Sequence, residues 1–332
     1  MPSLPLRRRA ILASPALALA TPLRAQTWPT RPVRLIVPFA PGGGTDVTTR
    51  LWAPKVSEIL GQPVVVENRA GAGGVIGVDF VSKQAPTGDV LGMATLSQIG
   101  LAPGLPQPLP FDPVRDLTPI APTVFVPVGL GATRRALAVN TAQELITLLR
   151  DNPGKYQYGS AGVGTSGHIA CATFARAIGA DVVHVPYRGS GPVFAALAAG
   201  EVHYTFDIAS LLKPLEEAGT AKILFMATDE RSSLVPAVPT AREIGLPDYK
   251  AYSWYGVFGP AGLPLVPGCT HIADPLGGVG IDTMTTGSIG AIRPKIGIDP
   301  RVTGPEVMYA AVTEGPHSLP AVPYGKVPSR FR

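Results

Sequence analysis

The sequence predicts an α/β protein, because short runs of β-branched and aromatic residues alternate with helical patterns from Val33 to Thr228. The opening unit is a strand, a glycine-rich loop, a helix and a second strand, at residues 33–39, 40–46, 47–60 and 63–68. This order is a βαβ unit, which implies a parallel sheet. A hydrophobic content of 45% with 15% charged residues is typical of a folded globular chain.

The ends of the first helix follow from local chemistry. Thr45 and Asp46 carry side chains that favour an N-cap, and Gly61 ends the helical pattern. Pro54 lacks the N–H that an internal turn needs, so it is expected to kink or interrupt the helix.

The alternation continues through the next 160 residues or so. Helices are predicted at 73–85, 141–154 (capped by Thr141), 168–179, 193–200 and 211–219. Strands are predicted at 89–96, 156–161, 181–187, 201–207 and 222–228.

The N-terminus has the pattern of a secretory signal peptide. Arg7, Arg8 and Arg9 form a basic region, a short apolar stretch follows, and Ala25 offers a small residue for cleavage. Residues 1–25 are therefore expected to direct export to the periplasm, and the arginine pair is compatible with the twin-arginine route.

Charge and cysteine content exclude several classes of function. Removal of residues 1–25 takes away four arginines and no acid, leaving 24 basic and 23 acidic residues. This balance gives no support for nucleic-acid binding. Cys171 and Cys269 are too few for a disulfide scaffold, and the histidines show no metal-ligand spacing, so no metal site is expected.

One stretch matches the dinucleotide-binding fingerprint G-x-G-x-x-G at Gly162, Gly164 and Gly167. Such a site also needs an acidic residue at the far end of the following strand, about 20 positions on. Asp181 stands at the near end of that strand and Arg188 follows its far end, so a nicotinamide or flavin site is disfavoured.

The same loop has a second interpretation, as an anion site at a helix N-terminus, where free N–H groups meet the positive end of the helix dipole. Ser160, Thr165 and Ser166 would add hydroxyl donors. The alternative is a plain N-cap in which Thr165 or Ser166 satisfies its own helix. A similar strand–glycine–helix connection at residues 42–46 favours two facing loops at the carboxyl ends of strands.

Covalent catalysis has weaker support. The segment “GTSGH” around Ser166 departs from the G-x-S-x-G nucleophile elbow, because His168 stands where the last glycine belongs. No third member of a catalytic triad is evident in the sequence.

The chain resembles the Bug family, the periplasmic substrate-binding receptors of tripartite tricarboxylate transporters. The resemblance spans residues 28–263 and rests on the segments “RPVRLIVPFAPGGGTDV”, “GQPVVVENRAGAGG”, “FDPVRDLTPI”, “NPGKYQYGSAGVGTSGH”, “VVHVPYRGSGP”, “AAGEVHYTFD” and “PAVPTAREIGLPDYKAYSWYGVFGPAGLP”. These segments stand in the order in which the family has them.

The resemblance implies a type II periplasmic-binding-protein fold, in which two α/β domains close on a small carboxylate without cofactor or chemistry. Residues 28–122 plus 229–263 would form the first domain, and 123–228 the second. The ligand-binding residues that the family implies are Phe39, Ala40, Gly43, Thr45, Asp46, Thr95, Ser97, Ser160, Ala161, Gly164, Thr165, His168 and Asp207. Asp46 is expected to organise its loop or to accept a hydrogen bond from the ligand.

The sequence departs from the family pattern at four places, one of which is the looser segment “VGLGATRRALAVNTAQEL” at residues 128–145. Val163 and Ile208 stand where the family usually has Asn, which bears on ligand choice. Residues 264–332 lack the family's amphipathic helices; 20 of these 69 residues are Pro or Gly, so the tail is expected to be poorly ordered.

The expected function is therefore a monomeric periplasmic receptor that delivers a small carboxylate to the membrane subunits of a transporter and is not an enzyme. Two alternatives remain at this point: an exported α/β enzyme that acts on a small organic acid, and a ligand receptor for a membrane sensor kinase.

Overall fold

Residues 28–263, which the computed structural model describes, contain nine β-strands and six α-helices. The expected signal peptide at 1–25 and the expected tail at 264–332 lie outside the described residues. The strands are β1 (Val33–Val37), β2 (Val64–Asn68), β3 (Val90–Thr95), β4 (Leu117–Thr133), β5 (Gln157–Ser160), β6 (Val183–Pro186), β7 (Tyr204–Ile208), β8 (Ala221–Met226) and β9 (Tyr252–Pro260). The helices are α1 (Gly44–Leu60), α2 (Val75–Ser82), α3 (Ala142–Asp151), α4 (Ser166–Ala177), α5 (Ser190–Ala199) and α6 (Ala209–Glu217).

The strands follow the order β2-β1-β3-β9-β4-β7-β5-β6, and β8 also pairs with β4. Strands β1, β2 and β3 are parallel to one another, as are β5, β6 and β7. Strands β4 and β9 run antiparallel to their neighbours, so the prediction of a parallel sheet is correct only for these two blocks.

Strand β4 connects the two parts of the sheet. Its residues 117–127 pair with β9, and residues 128–133 pair with β7 and β8. We call β1, β2, β3 and β9 the first half of the sheet, and β5 to β8 the second half. The chain therefore passes from one half to the other within a single long strand.

Local chemistry explains where the helices begin. Helix α3 has the expected capping box, in which the Thr141 hydroxyl accepts from the Glu144 N–H and the Glu144 carboxylate accepts from the Thr141 N–H. Helix α1 differs from expectation, because Gly43 is its N-cap and Thr45 is already inside the first turn. The helix also continues through Pro54 without interruption.

The core of the second half is built around an aromatic cluster. Phe174 of α4 is fully buried, and its ring lies 5.5–5.9 Å, centroid to centroid, from four neighbours. These neighbours are Tyr204, Phe206, Phe225 and Tyr249. The cluster holds α4 against β7 and β8, and so fixes the helix whose first residues reach the functional site. Within residues 28–263, no helix is long and apolar enough to cross a bilayer.

Candidate functional site

A small cavity of about 40 Å³ lies where the two halves of the sheet meet. The first half contributes Phe39, Gly43, Gly44, Thr45, Thr95, Ser97, Ser253 and Tyr255. The second half contributes Val128, Ala161, Thr165, Ser166, Gly167, Ser190, Phe206, Asp207 and Ile208. Most of these residues follow the carboxyl ends of parallel strands, which is where ligands bind in open α/β sheets.

Four helices begin at this cavity. Gly44, Ser166 and Ser190 are the first residues of α1, α4 and α5, and Ile208 is the N-cap of α6. The first N–H groups of each helix have no acceptor within the helix, and the helix dipole places positive potential there. The cavity is therefore surrounded by groups that stabilise a negative charge.

Asp46 organises the first loop from behind. Its carboxylate accepts hydrogen bonds from the Gly42 N–H (3.0 Å), from Arg50 Nε (2.9 Å) and from Asn68 Nδ2 (2.9 Å). Asp46 does not line the cavity, and its three hydrogen bonds join the loop to α1 and to the end of β2.

Ser160 and His168 lie behind the second loop. The Ser160 hydroxyl is 1% exposed and bonds to His184 Nε2 at 2.7 Å and to the Gly162 carbonyl at 3.1 Å. The His168 ring stacks on His184 at 4.1 Å, and its Nδ1 accepts from the Gly164 N–H. These side chains support the loop and do not line the cavity.

Both histidines are neutral at neutral pH. Burial lowers the pKa of His168, and burial together with the nearby His168 lowers the pKa of His184 to about 4. Neither ring therefore supplies a cation for an anion in the cavity. Within residues 28–263, no group of three or more His, Cys, Asp and Glu side chains is placed to hold a metal ion.

Thr165 is the N-cap of α4. The plain N-cap was the second of the two interpretations of this loop in the sequence. Its hydroxyl accepts from the His168 N–H (3.3 Å) and donates to the Gly162 carbonyl (2.8 Å). The hydroxyl proton is thus already bonded within the loop, although the residue itself lines the cavity.

The expected result of Thr165→Ala is a loss of stability of about 0.5–2 kcal/mol in the ligand-free protein, because the α4 N-terminus loses its cap. Urea denaturation followed by circular dichroism measures this change. Thr165→Ser keeps the hydroxyl oxygen and should restore most of the loss. Equal destabilisation by both substitutions would show that the Thr165 methyl group, and not the hydroxyl cap, stabilises the protein.

The two halves touch directly beside the cavity. The Ser166 N–H donates to the Ser97 hydroxyl at 3.0 Å, so a residue after β3 accepts from the first N–H of α4. The Ala40 N–H donates to the Arg188 carbonyl at 3.0 Å. A Cβ on Gly191 of α5 would overlap the carbonyl oxygen of Pro41. The structure is therefore a closed arrangement of the two halves.

Eight of the thirteen residues expected to bind ligand line the cavity: Phe39, Gly43, Thr45, Thr95, Ser97, Ala161, Thr165 and Asp207. Five do not, and each supports a loop instead: Ala40, Asp46, Ser160, Gly164 and His168. Sequence reasoning missed Ser190, Ser253 and Tyr255, among others. The Gly–Ser–Gly segment at 189–191 was a usable signal for Ser190.

Solved structures with the same fold define the class of protein. Rpa4515 of R. palustris, solved with adipate, is 34% identical, with a TM-score of 0.73 over 86% of this chain and 93% of that chain. MatC from Rhodopseudomonas palustris, with bound malate, is 35% identical, with a TM-score of 0.68 over 71% of this chain and 80% of that chain. BugD, a periplasmic binding protein, has a TM-score of 0.69 at 30% identity over 72% of this chain and 79% of that chain. The fold is that of a periplasmic solute-binding protein.

The particular family follows from sequence comparison. Residues 48–266 match TctC, the tripartite tricarboxylate transporter family receptor. BugT from Bordetella pertussis is 38% identical over 248 residues, which cover 74% of this chain and 75% of BugT. The chain belongs to the TctC family of tripartite tricarboxylate transporter receptors, so the resemblance found from the motifs is confirmed.

Proposed function

We propose that the protein captures a small dicarboxylate in the cavity between the two halves and delivers it to the membrane subunits of a tripartite tricarboxylate transporter. The convergence of four helix N-termini on one cavity carries this proposal, because such termini stabilise an anion without a cationic side chain. The adipate and malate bound by the two similar proteins are both dicarboxylates, which supports the same class here.

The donors for the ligand come from both halves. In the first half they are the N–H groups of Gly44 and Thr45 at the start of α1 and the hydroxyl of Tyr255. In the second half they are the Gly167 N–H in the first turn of α4 and the N–H groups at the start of α5. A dicarboxylate has two charged ends, so it can link one half to the other.

Ligand binding and closure are then one event. The proposed domains, residues 28–122 plus 229–263 and residues 123–228, would separate to admit the ligand and close on it. They are joined at β4 and again after β8. The proposal includes export by residues 1–25, action as a monomer, and release of the ligand chemically unchanged.

Isothermal titration calorimetry of the mature chain with malate, adipate and citrate tests the proposed function. One acid should bind at 1:1 stoichiometry, and the same acid with every carboxyl group converted to an amide, which has no charge, should not. Nuclear magnetic resonance of the recovered acid should show no conversion. Failure of every acid to bind, or turnover of one of them, would overturn the proposal.

Ser97→Ala is expected to weaken binding of the best acid about 5- to 150-fold. In the closed arrangement the substitution leaves the partly buried Ser166 N–H without its acceptor, and the loss of such a partner costs up to about 1–3 kcal/mol. Calorimetry with the same acid measures the change. Ser233→Ala removes the hydroxyl of an exposed serine and should bind as the parent does. Parental affinity in Ser97→Ala would mean that the bond across the cavity does not stabilise the complex.

A further inference from the structure

The cavity contains an acid and, among the described residues that line it, no Lys, Arg or His. The ionisable side chains of this lining are Asp207, at the end of β7, and Tyr255, in β9. A carboxylate receptor would be expected to avoid a second negative charge beside its ligand. Asp207 therefore needs an explanation of its own.

Asp207 lies within the body of the protein, and its partly exposed side chain lines the cavity. One carboxyl oxygen, Oδ1, accepts from the Ile208 N–H at 2.8 Å, and the Ser190 hydroxyl also bonds to the carboxyl. Burial raises the pKa of Asp207 to about 6 and outweighs these two hydrogen bonds, which favour the ionised form.

No cation in the described part of the chain compensates Asp207. The titratable side chains that interact with it electrostatically are Tyr255 of β9 and Cys171 of α4. Burial raises the pKa of both, so both are neutral near pH 7. The charged side chains on the helices packed against β7 lie at the surface: Arg176 is exposed, Lys213 pairs with Glu217, and Glu216 pairs with Lys222.

We propose that Asp207 makes ligand capture proton-coupled, so that the cavity takes up a carboxylate anion together with one proton. The inference rests on the proposed function. An anionic ligand and an ionised Asp207 would compete for the same helix N-termini and repel each other inside a closed cavity. Transfer of one proton from solvent to the Asp207 carboxyl removes the repulsion. The protonated group can then donate a hydrogen bond to the ligand carboxylate.

The pH dependence follows from this assignment. Above about pH 6 Asp207 is ionised in the free receptor, and in the complex the ligand's charge raises the pKa of Asp207 further. Binding then takes up a proton, so affinity falls as pH rises, by up to about tenfold per pH unit. Below pH 6 Asp207 is already protonated in the free receptor, and its contribution to the pH dependence disappears.

Calorimetry of the mature chain tests this with malate, adipate and aspartate at pH 6, 7 and 8, each in phosphate and in Tris. The two buffers differ in ionisation enthalpy, so the difference in heat reports proton uptake. For the dicarboxylates we expect uptake close to one proton per ligand near pH 8 and an affinity about 10- to 100-fold lower at pH 8 than at pH 6.

Asp207→Asn provides the isosteric neutral side chain. It should abolish proton uptake, give an affinity that is flat between pH 6 and 8, and bind at pH 8 at least as tightly as the wild type. Asp181→Asn changes an exposed aspartate of the second half and should keep the wild-type profile.

The outcomes separate this inference from the function on which it rests. A wild-type receptor that binds a dicarboxylate without proton uptake and with a flat pH profile overturns only the inference. Tight binding of aspartate alone, without uptake, also overturns it, because the ligand's ammonium group would then neutralise Asp207. Binding of no acid at any pH refutes the proposed function and the inference together.

Discussion

Phe174→Ala is expected to lower the free energy of unfolding by about 3–5 kcal/mol, a large part of the ~5–15 kcal/mol that stabilises a typical domain. The Phe174 side chain is fully buried, and its ring contacts four other aromatic rings. Removal of the ring loses the transfer free energy of the apolar surface, leaves a cavity, and also removes aromatic contacts worth about 0.5–1.5 kcal/mol each.

Urea denaturation of the ligand-free protein, followed by circular dichroism, measures this effect. Phe125→Ala makes the same chemical change at a ring that is 61% exposed and should cost less than about 1 kcal/mol. If Phe174→Ala cost no more than Phe125→Ala, the aromatic cluster would not be the main packing contact of the second half.

Gly191→Val is expected to weaken ligand binding about 5- to 150-fold while leaving the fold intact. A Cβ on Gly191 would overlap the main-chain oxygen of Pro41 in the other half, and neither atom is at the end of a flexible side chain. The halves would have to stay apart, and the bonds from Ala40 to Arg188 and from Ser166 to Ser97 would be lost. These two bonds are partly buried and together worth about 1–3 kcal/mol, which corresponds to about 5- to 150-fold in affinity.

Calorimetry with the best acid measures the affinity, and small-angle X-ray scattering measures whether ligand still makes the molecule more compact. Ala195→Val places the same side chain at an exposed position of the same helix, α5, and should bind as the parent does. Parental affinity in Gly191→Val would show that the ligand does not require the closed arrangement.

The sequence predicted the helices and strands whose own residues carry a recognisable local pattern. The strands and helices of the two blocks alternate, and the Thr141–Glu144 capping box lies within four consecutive residues. The two missed strands had conflicting signals. Strand β4 contains Pro119, Pro122 and Pro127, which argue against a strand, and its register shifts near the first two allow it to keep pairing with β9. Strand β9, “YSWYGVFGP”, had the right composition but stood apart from the alternating pattern.

In the candidate site, too, local sequence patterns predicted some features, and only the fold determined the others. The glycine loops at the starts of α1 and α4 could be found from the sequence, because a strand, glycines and a helix in succession mark a helix N-terminus. The roles of individual residues within a loop could not. Ser160 and His168 belong to the predicted loop, yet the Ser160 hydroxyl bonds to His184 behind it, and His168 Nδ1 accepts from the Gly164 N–H within it.

The sequence by itself therefore determined the α/β class, most of the helices and strands, and the two glycine loops, because each depends on residues that are neighbours along the chain. Only the tertiary structure decided the chemistry of the cavity. Asp207 of β7, Tyr255 of β9 and Thr45 of α1 meet there because β4 joins the two halves and the helices fold onto them. Desolvation in a cavity whose lining carries no cation raises the pKa of Asp207, and desolvation is a property of the folded chain that no local pattern encodes.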